Sequence, residues 1–406
     1  MIRSCFLWCK HVAYAALAML LAACFAEVAL RVYDSSTAQV TRRDLYDRGL
    51  VCKSWFVHHT LKPSHAFTFK NPDSGQPIRL AISSLGLRGA EPAIPKPHGV
   101  FRVLCLGDDS TFAPAIAENE TFALRLTAEL EARCPAEIEV INAGVPEYCP
   151  LLSYLQYRHD LLPLGADLVV FTFDMSDVSD DYQLRRYAVM TSEGVPLSCT
   201  HPALELRGTA GKPRRESLFL APEFARQQVN RILAERVLGE KCRSIDSPKC
   251  RYLWLEDQPP DWSIYVAQAL SPLGHLDELV RANGAQLVVA ACPAPWQISA
   301  RASNGPGVRE KAGVGADACL RSRRPFETLA AFCQSHHIPF CDVSSAFAAA
   351  EEGERLFLKN SPGLSSAGHA LYARELAELL RSRVSSDAPA SPGRSFVPPQ
   401  ARLGPR

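Results

Sequence analysis

The sequence predicts an α/β fold: a doubly wound, flavodoxin-like sheet of five parallel strands in three α/β/α layers, preceded by an N-terminal membrane helix. Three observations predict it. Short apolar runs ending at or close to Gly, Asp or Pro recur between residues 101 and 342. Stretches with apolar residues at helical spacing separate them. The runs are also apolar throughout, without alternation, as strands covered on both faces require.

The elements follow in order. Arg3 and Lys10 precede an uncharged stretch of about fifteen residues, Val12 to Ala26, and then EVALRVYD. A basic region before an Ala/Leu-rich run is an export signal. The stretch is shorter than a full span unless Val28 to Tyr33 extend it. Residues 1–33 are therefore expected to be a signal anchor. The alternatives are a lipoprotein cleaved at LAAC and lipidated on Cys24, a cleaved signal peptide, or a buried helix. The first three place the main domain outside the cytoplasm, in the periplasm or at the cell surface.

Residues 34–97 are polar, punctuated by Pro and Gly, and read as a stalk merging into wrapping loops. The main domain is expected over 98–383. FRVLCLG, EIEVINAG and ADLVVFTFD read as strands, with ETFALRLTAELEARC and SYLQYRHDLLPL as intervening helices. QLVVAACPAP and IPFCDV supply the fourth and fifth strands, each after a helical stretch, and SSAGHALYARELAELLRS closes the domain. Residues 183–260 add no strand to this alternation and read as a cap-like insert. The Pro- and Ser-rich tail, 384–406, is expected to be disordered.

Composition excludes several classes. Of 406 residues, 44 are Lys or Arg and 43 Asp or Glu, a formal charge of +1, which gives no basic surface for nucleic acid. The 14 Cys form no C-x-x-C pair, so zinc spacing is absent. Cys105, Cys292 and Cys341 lie in apolar runs, where Cys acts as a small hydrophobe. Cys242 and Cys250 could close a local loop in an oxidising compartment.

Ligands of doubly wound sheets bind at the carboxyl ends of the strands. Those ends read Gly107-Asp108-Asp109-Ser110, Asn142-Ala143-Gly144 and Asp174-Met175-Ser176-Asp177. LGDDSTF, NAGVP, FDMSD and LSSAGH, in this order, resemble the SGNH (GDSL-like) hydrolase family over about residues 82–382. SSLGLRG ahead of the first strand and the N-terminal E-x-x-L-R are similar to membrane-attached bacterial members.

The resemblance implies an acyl hydrolase fold, and position by position it implies that the usual chemistry is lost. Asp109 stands where the family has its nucleophilic Ser. Gly144 keeps the Gly whose amide helps hold the oxyanion. Ser176 replaces the Asn donor of that hole, and Asp174 replaces a Gly. Asn360 and Gly363 occupy the places of the orienting Asp and the catalytic His, while Ala367-Gly368-His369 is kept. Acyl transfer needs a nucleophile, a base and oxyanion donors together. Gly363 cannot accept a proton, and the charge of Asp109 would oppose an oxyanion.

Other residues were weighed as substitutes. Ser110 is read as packing or capping the following helix, with a slipped nucleophile as the alternative. His369 is read as a packing or hydrogen-bonded histidine, with a substitute base as the alternative. His58, His59, His336 and His337 are read as solvated, and Asp342 as a turn cap. The excess of carboxylates (Asp108, Asp109, Asp174, Asp177, then Asp180 and Asp181) has three readings: structural capping, ligand recognition, or a hard divalent cation. Asp108, Asp109, Asn142, Gly144, Asp174, Ser176 and Asp177 are the candidate ligand-binding set. No cofactor is expected beyond such a cation. Three function classes remain: a non-catalytic domain binding a glycan or acylated ligand, an esterase using non-standard residues, and a protein-interaction scaffold.

Overall fold

The computed structural model describes residues 49–205 and 250–384, together with helical residues within 11–29. The chain divides into two units, Met1–Val51 with Glu205–Arg243, and Cys52–Leu204 with Ser244–Arg406. In the first unit the described residues within 11–29 are helical and exposed, apart from Glu27. Much of the expected anchor lies outside the described residues. Among the described residues, no helix is long and apolar enough to cross a membrane. The stretch 34–48, Cys242 and the tail 385–406 also lie outside them.

Four short strands open the described chain: β1 (Val51–Lys53), β2 (His59–Leu61), β3 (His65–Lys70) and β4 (Pro77–Ile82). They pair as β1-β2 and as an antiparallel β3-β4 hairpin. This stretch was read as loop because such short, half-exposed strands carry little apolar periodicity. Between β4 and the main sheet, Arg88 donates to the carbonyls of Ala113 and Ile116 at 2.5 and 2.6 Å, and also to that of Phe112.

The main sheet begins with β5 (Val100–Leu106), every residue of which is buried. Phe101, Val103 and Cys105 join one apolar cluster, and the alternate residues Arg102, Leu104 and Leu106 are buried toward the other face. Arg102 is tolerated there because its guanidinium meets Glu139 at 2.6 Å and the Ala93 carbonyl at 2.9 Å. After β5 come α1 (Asp109–Phe112), α2 (Phe122–Glu131), β6 (Glu137–Asn142), α3 (Pro150–Gln156), β7 (Leu168–Asp174) and α4 (Asp177–Arg185).

A hairpin, β8 (Ala188–Met190) and β9 (Pro196–Cys199), follows within the insert. It lies outside the main sheet, and residues 206–249 of the expected insert lie outside the described residues. The domain ends with α5 (Ser263–Ala282), β10 (Gln286–Cys292), α6 (Arg324–Ser335), β11 (Phe340–Asp342) and α7 (Ser366–Leu380).

The five sheet strands run in the order β11-β10-β7-β5-β6, and every adjacent pair is parallel. Counted along the chain this is 2-1-3-4-5, the flavodoxin-like order. Phe122, Leu126 and Leu130 of α2 and Tyr372, Leu376 and Leu380 of α7 cluster with β5, β7 and β10 on one face. α5 packs with α3 and α4. The expected five-stranded α/β architecture is therefore observed, while the N-terminal membrane helix expected with it is not found among the described residues. The order reverses between β5 and β7, so the loops after β6, β5 and β7 lie side by side at one sheet edge.

Candidate functional site

Two close backbone approaches bring these loops together. Gly107 has a φ of +148°, and a Cβ there would lie 2.4 Å from Thr111 Oγ1. Gly144 packs so tightly that its Cβ would lie 2.4 Å from the Phe112 backbone nitrogen. Buried Asn142 fastens the same junction: its Nδ2 donates to the Thr111 carbonyl at 2.7 Å, and its Oδ1 accepts from the Gly144 amide at 3.0 Å. The Gly144 amide is thus bonded to the Asn142 side chain in this structure.

The amide that does reach the Asp109 carboxylate belongs to Glu147. Glu147 has a φ of +61°, the left-handed region, strained for a residue with a side chain. Its carboxylate lies close enough to act on Asp109 as well. Sequence reasoning missed this residue.

The carboxylates of the other loops are engaged in a helix cap, in loop hydrogen bonds and in ion pairs. Asp108, the N-cap of α1, accepts from the Ser110 amide at 2.9 Å and the Ser110 hydroxyl at 2.7 Å. Ser110 is therefore committed to the cap, as expected. Asp174 Oδ1 accepts from the Ser176 amide at 2.8 Å, and Asp177 Oδ2 from the Asp174 amide at 3.1 Å. Ser176 is buried, and its hydroxyl turns to Asp174. Asp181 pairs with Arg185 at 2.6 Å, one helical turn on.

Placing so many carboxylates together has an electrostatic consequence. Burial, and then the charges of Asp108, Asp174 and Asp180, push the Asp177 carboxyl well above the ordinary range. Burial raises Asp108 and Asp174 too, the first reinforced by Asp174 and Asp109, the second opposed by its Ser176 bonds and by Arg251. Asp181 rises to about 6 by burial, with Arg185 opposing. Asp109 is open to solvent at the mouth of the cleft. Even so, the surrounding protein, and then Glu147, raise it to about 7, against Arg251 and the Glu147 amide.

Arg251 supplies the cleft's positive charge. It arrives on the returning limb of the insert and ion-pairs with Asp180. Its neighbours fix that limb: Trp254 Nε1 donates to the Met175 carbonyl at 2.8 Å, and the Tyr252 ring meets Trp296 edge-on at 4.5 Å. Arg251 was not singled out from sequence, because 70 residues separate it from the loop it serves. Among the described residues, no group of three or more His, Cys, Asp or Glu is arranged to hold a metal ion.

The last block of the resemblance follows Leu358, which packs with Ala113, Ala115 and Ile116 just beyond α1. Asn360 is exposed and bound to the 72–73 loop: its amide donates to Asp73 at 2.7 Å, and its Nδ2 to the Pro72 carbonyl at 3.1 Å. Gly363 accepts from the Leu358 amide at 2.9 Å through its carbonyl. His369 is buried and stacked on Phe122, and its Nδ1 accepts from the Phe122 amide at 3.2 Å. Burial, with Arg88 and Arg125 nearby, pulls it down to about 3. It is a neutral, hydrogen-bonded core histidine.

Asp342 accepts from the Ser344 amide at 3.0 Å and pairs with Arg323, a turn cap as expected. His59 departs from its solvated reading. It is buried where the β1-β2 turn meets the loop after β6, and its Nε2 lies 2.8 Å from the Pro146 carbonyl. A carbonyl only accepts, so Nε2 carries the proton, and Nδ1 accepts from His58 Nδ1 at 2.8 Å.

No family model matches the chain, and no curated protein matches it either. Solved structures to which it is similar include a lipase/acylhydrolase from Enterococcus faecalis, at 12% identity over 70% of this chain and 98% of that one, TM-score 0.39. A catalytic mutant of the acetylxylan esterase Axe2 from Geobacillus stearothermophilus matches at 12% identity over 69% and 94%, TM-score 0.37. A GDSL-like lipase from Bacteroides thetaiotaomicron matches at 10% identity over 70% and 89%, TM-score 0.33. The sheet order gives the chain a flavodoxin-like α/β fold, and these enzymes are its distant structural neighbours.

Proposed function

We propose that this chain is an envelope-anchored, SGNH-like protein whose strand-end cleft binds a glycan or an acylated ligand without hydrolysing it. What supports the reading is that the hydroxyl and imidazole nearest the family blocks, and the residue at the orienting position, are each engaged elsewhere. The Ser110 hydroxyl is given to Asp108, the His369 imidazole to the Phe122 amide, and Asn360 to the 72–73 loop. Asp109, at the nucleophile's place, faces a backbone amide as an acceptor. What the cleft does offer is carboxylate acceptors and the Arg251 guanidinium, groups suited to hydroxyls and polar heads. No cofactor enters this reading.

The test is hydrolysis of short-chain aryl esters. The wild type is expected to act no faster than Asp109→Ala, and activity to require Asp109→Ser, Asn360→Asp and Gly363→His together, since triad members act as a unit. A side chain at 363 has room, its Cβ meeting nothing nearer than Ser361 Oγ at 3.7 Å. Wild-type turnover abolished by Ser110→Ala would overturn the proposal. The anchoring half is tested separately: the full chain should fractionate with membranes, and deleting 1–33 should release it.

A second reading is favoured by Asp109 alone. A carboxyl raised to about 7 in a cleft is suited to general acid–base work, and hydrolysis by non-standard residues would run through it. In that case Asp109→Asn, and not Ser110→Ala, would abolish turnover.

A further inference from the structure

Large apolar side chains are scarce on the surface of residues 49–205 and 250–384. Those well exposed are Trp55, Phe56, Leu85, Ile94, Val189, Leu197 and Ile264. Four of these seven, Trp55, Phe56, Val189 and Leu197, stand on one small structure formed by the β1-β2 turn and the β8-β9 hairpin. Single exposed apolar residues are ordinary, whereas a cluster marks a contact surface.

The cluster is held as one piece. The Cys199 amide donates to the Phe56 carbonyl at 2.7 Å, Thr200 Oγ1 to the Trp55 carbonyl at 2.9 Å, and the His201 amide to the Ser54 carbonyl at 3.0 Å. The Phe56 ring centroid lies 5.3 Å from that of His159, whose Nε2 is 3.1 Å from the Leu197 carbonyl. Val189 pairs with Ser198, the neighbour of Leu197. Trp55 is 51% exposed and Phe56 57%, so two aromatic rings project together from a turn that the hairpin keeps rigid.

We infer that this patch is a bilayer-docking surface, with Trp55 and Phe56 seated at the headgroup boundary of an anionic membrane. Four exposed apolar side chains, two of them aromatic, make a small surface. They fit a shallow interfacial anchor, in which Trp and Phe enter and cationic groups meet the headgroups. Arg158 donates to the Pro196 carbonyl of the hairpin at 3.2 Å and Arg186 lies over Tyr187, with Lys53 two residues before Trp55, against Asp160 and Glu193. A weak surface of this kind becomes effective beside a second membrane signal. The apolar run ending at Ala26 lies only 29 residues before Trp55. The second-signal clause rests on the anchoring proposed above, while the patch itself does not.

Docking would also act on the cleft. The turn that carries Trp55 and Phe56 leads into His59, which bonds Pro146, the residue before Glu147. Membrane contact would thus sit beside the loop whose amide faces Asp109.

The test uses the full chain with vesicles of phosphatidylcholine, with and without phosphatidylglycerol, and reads hydroxyl-radical labelling of single side chains. Labelling of Trp55 and Phe56 is expected to fall about threefold or more in the anionic vesicles and to return at high salt, with Leu85 and Ile264 as unchanged controls. Trp55→Ser with Phe56→Ser should leave the chain folded, with the wild type's far-UV circular dichroism and a cooperative melt, since both side chains are more than half exposed. If the chain proves soluble without detergent, the anchor fails, and vesicle co-sedimentation of wild type against this double variant still reads the patch. Labelling of Trp55 that matches the controls in every vesicle would overturn the inference. Protection that follows protein concentration instead of lipid charge would also overturn it, assigning the surface to a second copy of the chain.

Discussion

Arg251 ion-pairs with Asp180 at the edge of the strand-end cleft, and it is the cation set against the carboxylates of Asp109 and Asp174. It lowers the carboxyl pKa of both Asp109 and Asp174, and it comes from the returning limb of the protein's own insert. Removing it leaves carboxylates that repel one another. Arg251→Ala is expected to destabilise by about 2 kcal/mol, below the roughly 3–5 kcal/mol of a fully buried pair because the side chain is 33% exposed. Dilute guanidinium chloride should restore part of the lost melting temperature where equal sodium chloride does not.

The carboxylate cluster separates capping from metal binding. If the carboxylates serve as caps, calcium, magnesium and manganese should leave the melting curve of the wild type unchanged, with or without chelator. Asp108→Ala should cost about 1–2 kcal/mol, since both Ser110 bonds go with it, and Asp108→Asn should cost less because an oxygen acceptor remains. A melting temperature that climbs with cation concentration and falls back in Asp109→Asn with Asp174→Asn would favour the metal.

Asp109 gives this edge a pH dependence of definite sign. Its folded pKa, about 7, lies above the ordinary carboxyl value, so the native state binds the extra proton and stability falls as pH rises toward 7. Asp109→Asn should therefore raise the melting temperature at pH 8, and the gain should fade as pH falls toward about 4. Thermal melts at both pH values check this. An equal gain at both would show that charge is not its source.

The buried histidines act with the opposite sign. Burial, then the charge of His201, draws His59 down to about 4, with the Pro146 carbonyl opposing. The unfolded chain takes up this proton first, so stability present above about pH 6.5 is lost as pH falls toward 4. For His59 the loss amounts to about 3 kcal/mol at most. The difference in stability between wild type and His59→Gln, followed from pH 7 to pH 4.5, should trace that loss.

The sheet was legible because its strands announce themselves. LVVFTFD and QLVVAAC are apolar on both faces, and only a covered parallel strand needs that. The site was half legible for a related reason: residues that follow such strands must fall at one edge, so Asp108, Asp109, Asp174 and Asp177 could be named together. Glu147 could not, because its part depends on a left-handed φ that GVPEY does not signal. The bond from the Gly144 amide to the Asn142 side chain was not legible either, because backbone position alone does not signal it. Arg251 and His59 reach the site through tertiary packing of short, irregular segments, where periodicity carries no information.

The contact between Gly144 and Phe112 sets the terms on which this scaffold could be re-engineered. With only 2.4 Å between the Phe112 nitrogen and any Cβ at 144, the first two strand-end loops are wedged together at a point that tolerates no added atom. A library seeking esterase activity can vary positions 109, 360 and 363, where solvent or open space receives new side chains. Diversity at 144 would be wasted, since every substitution there parts the loops on which the other three positions depend.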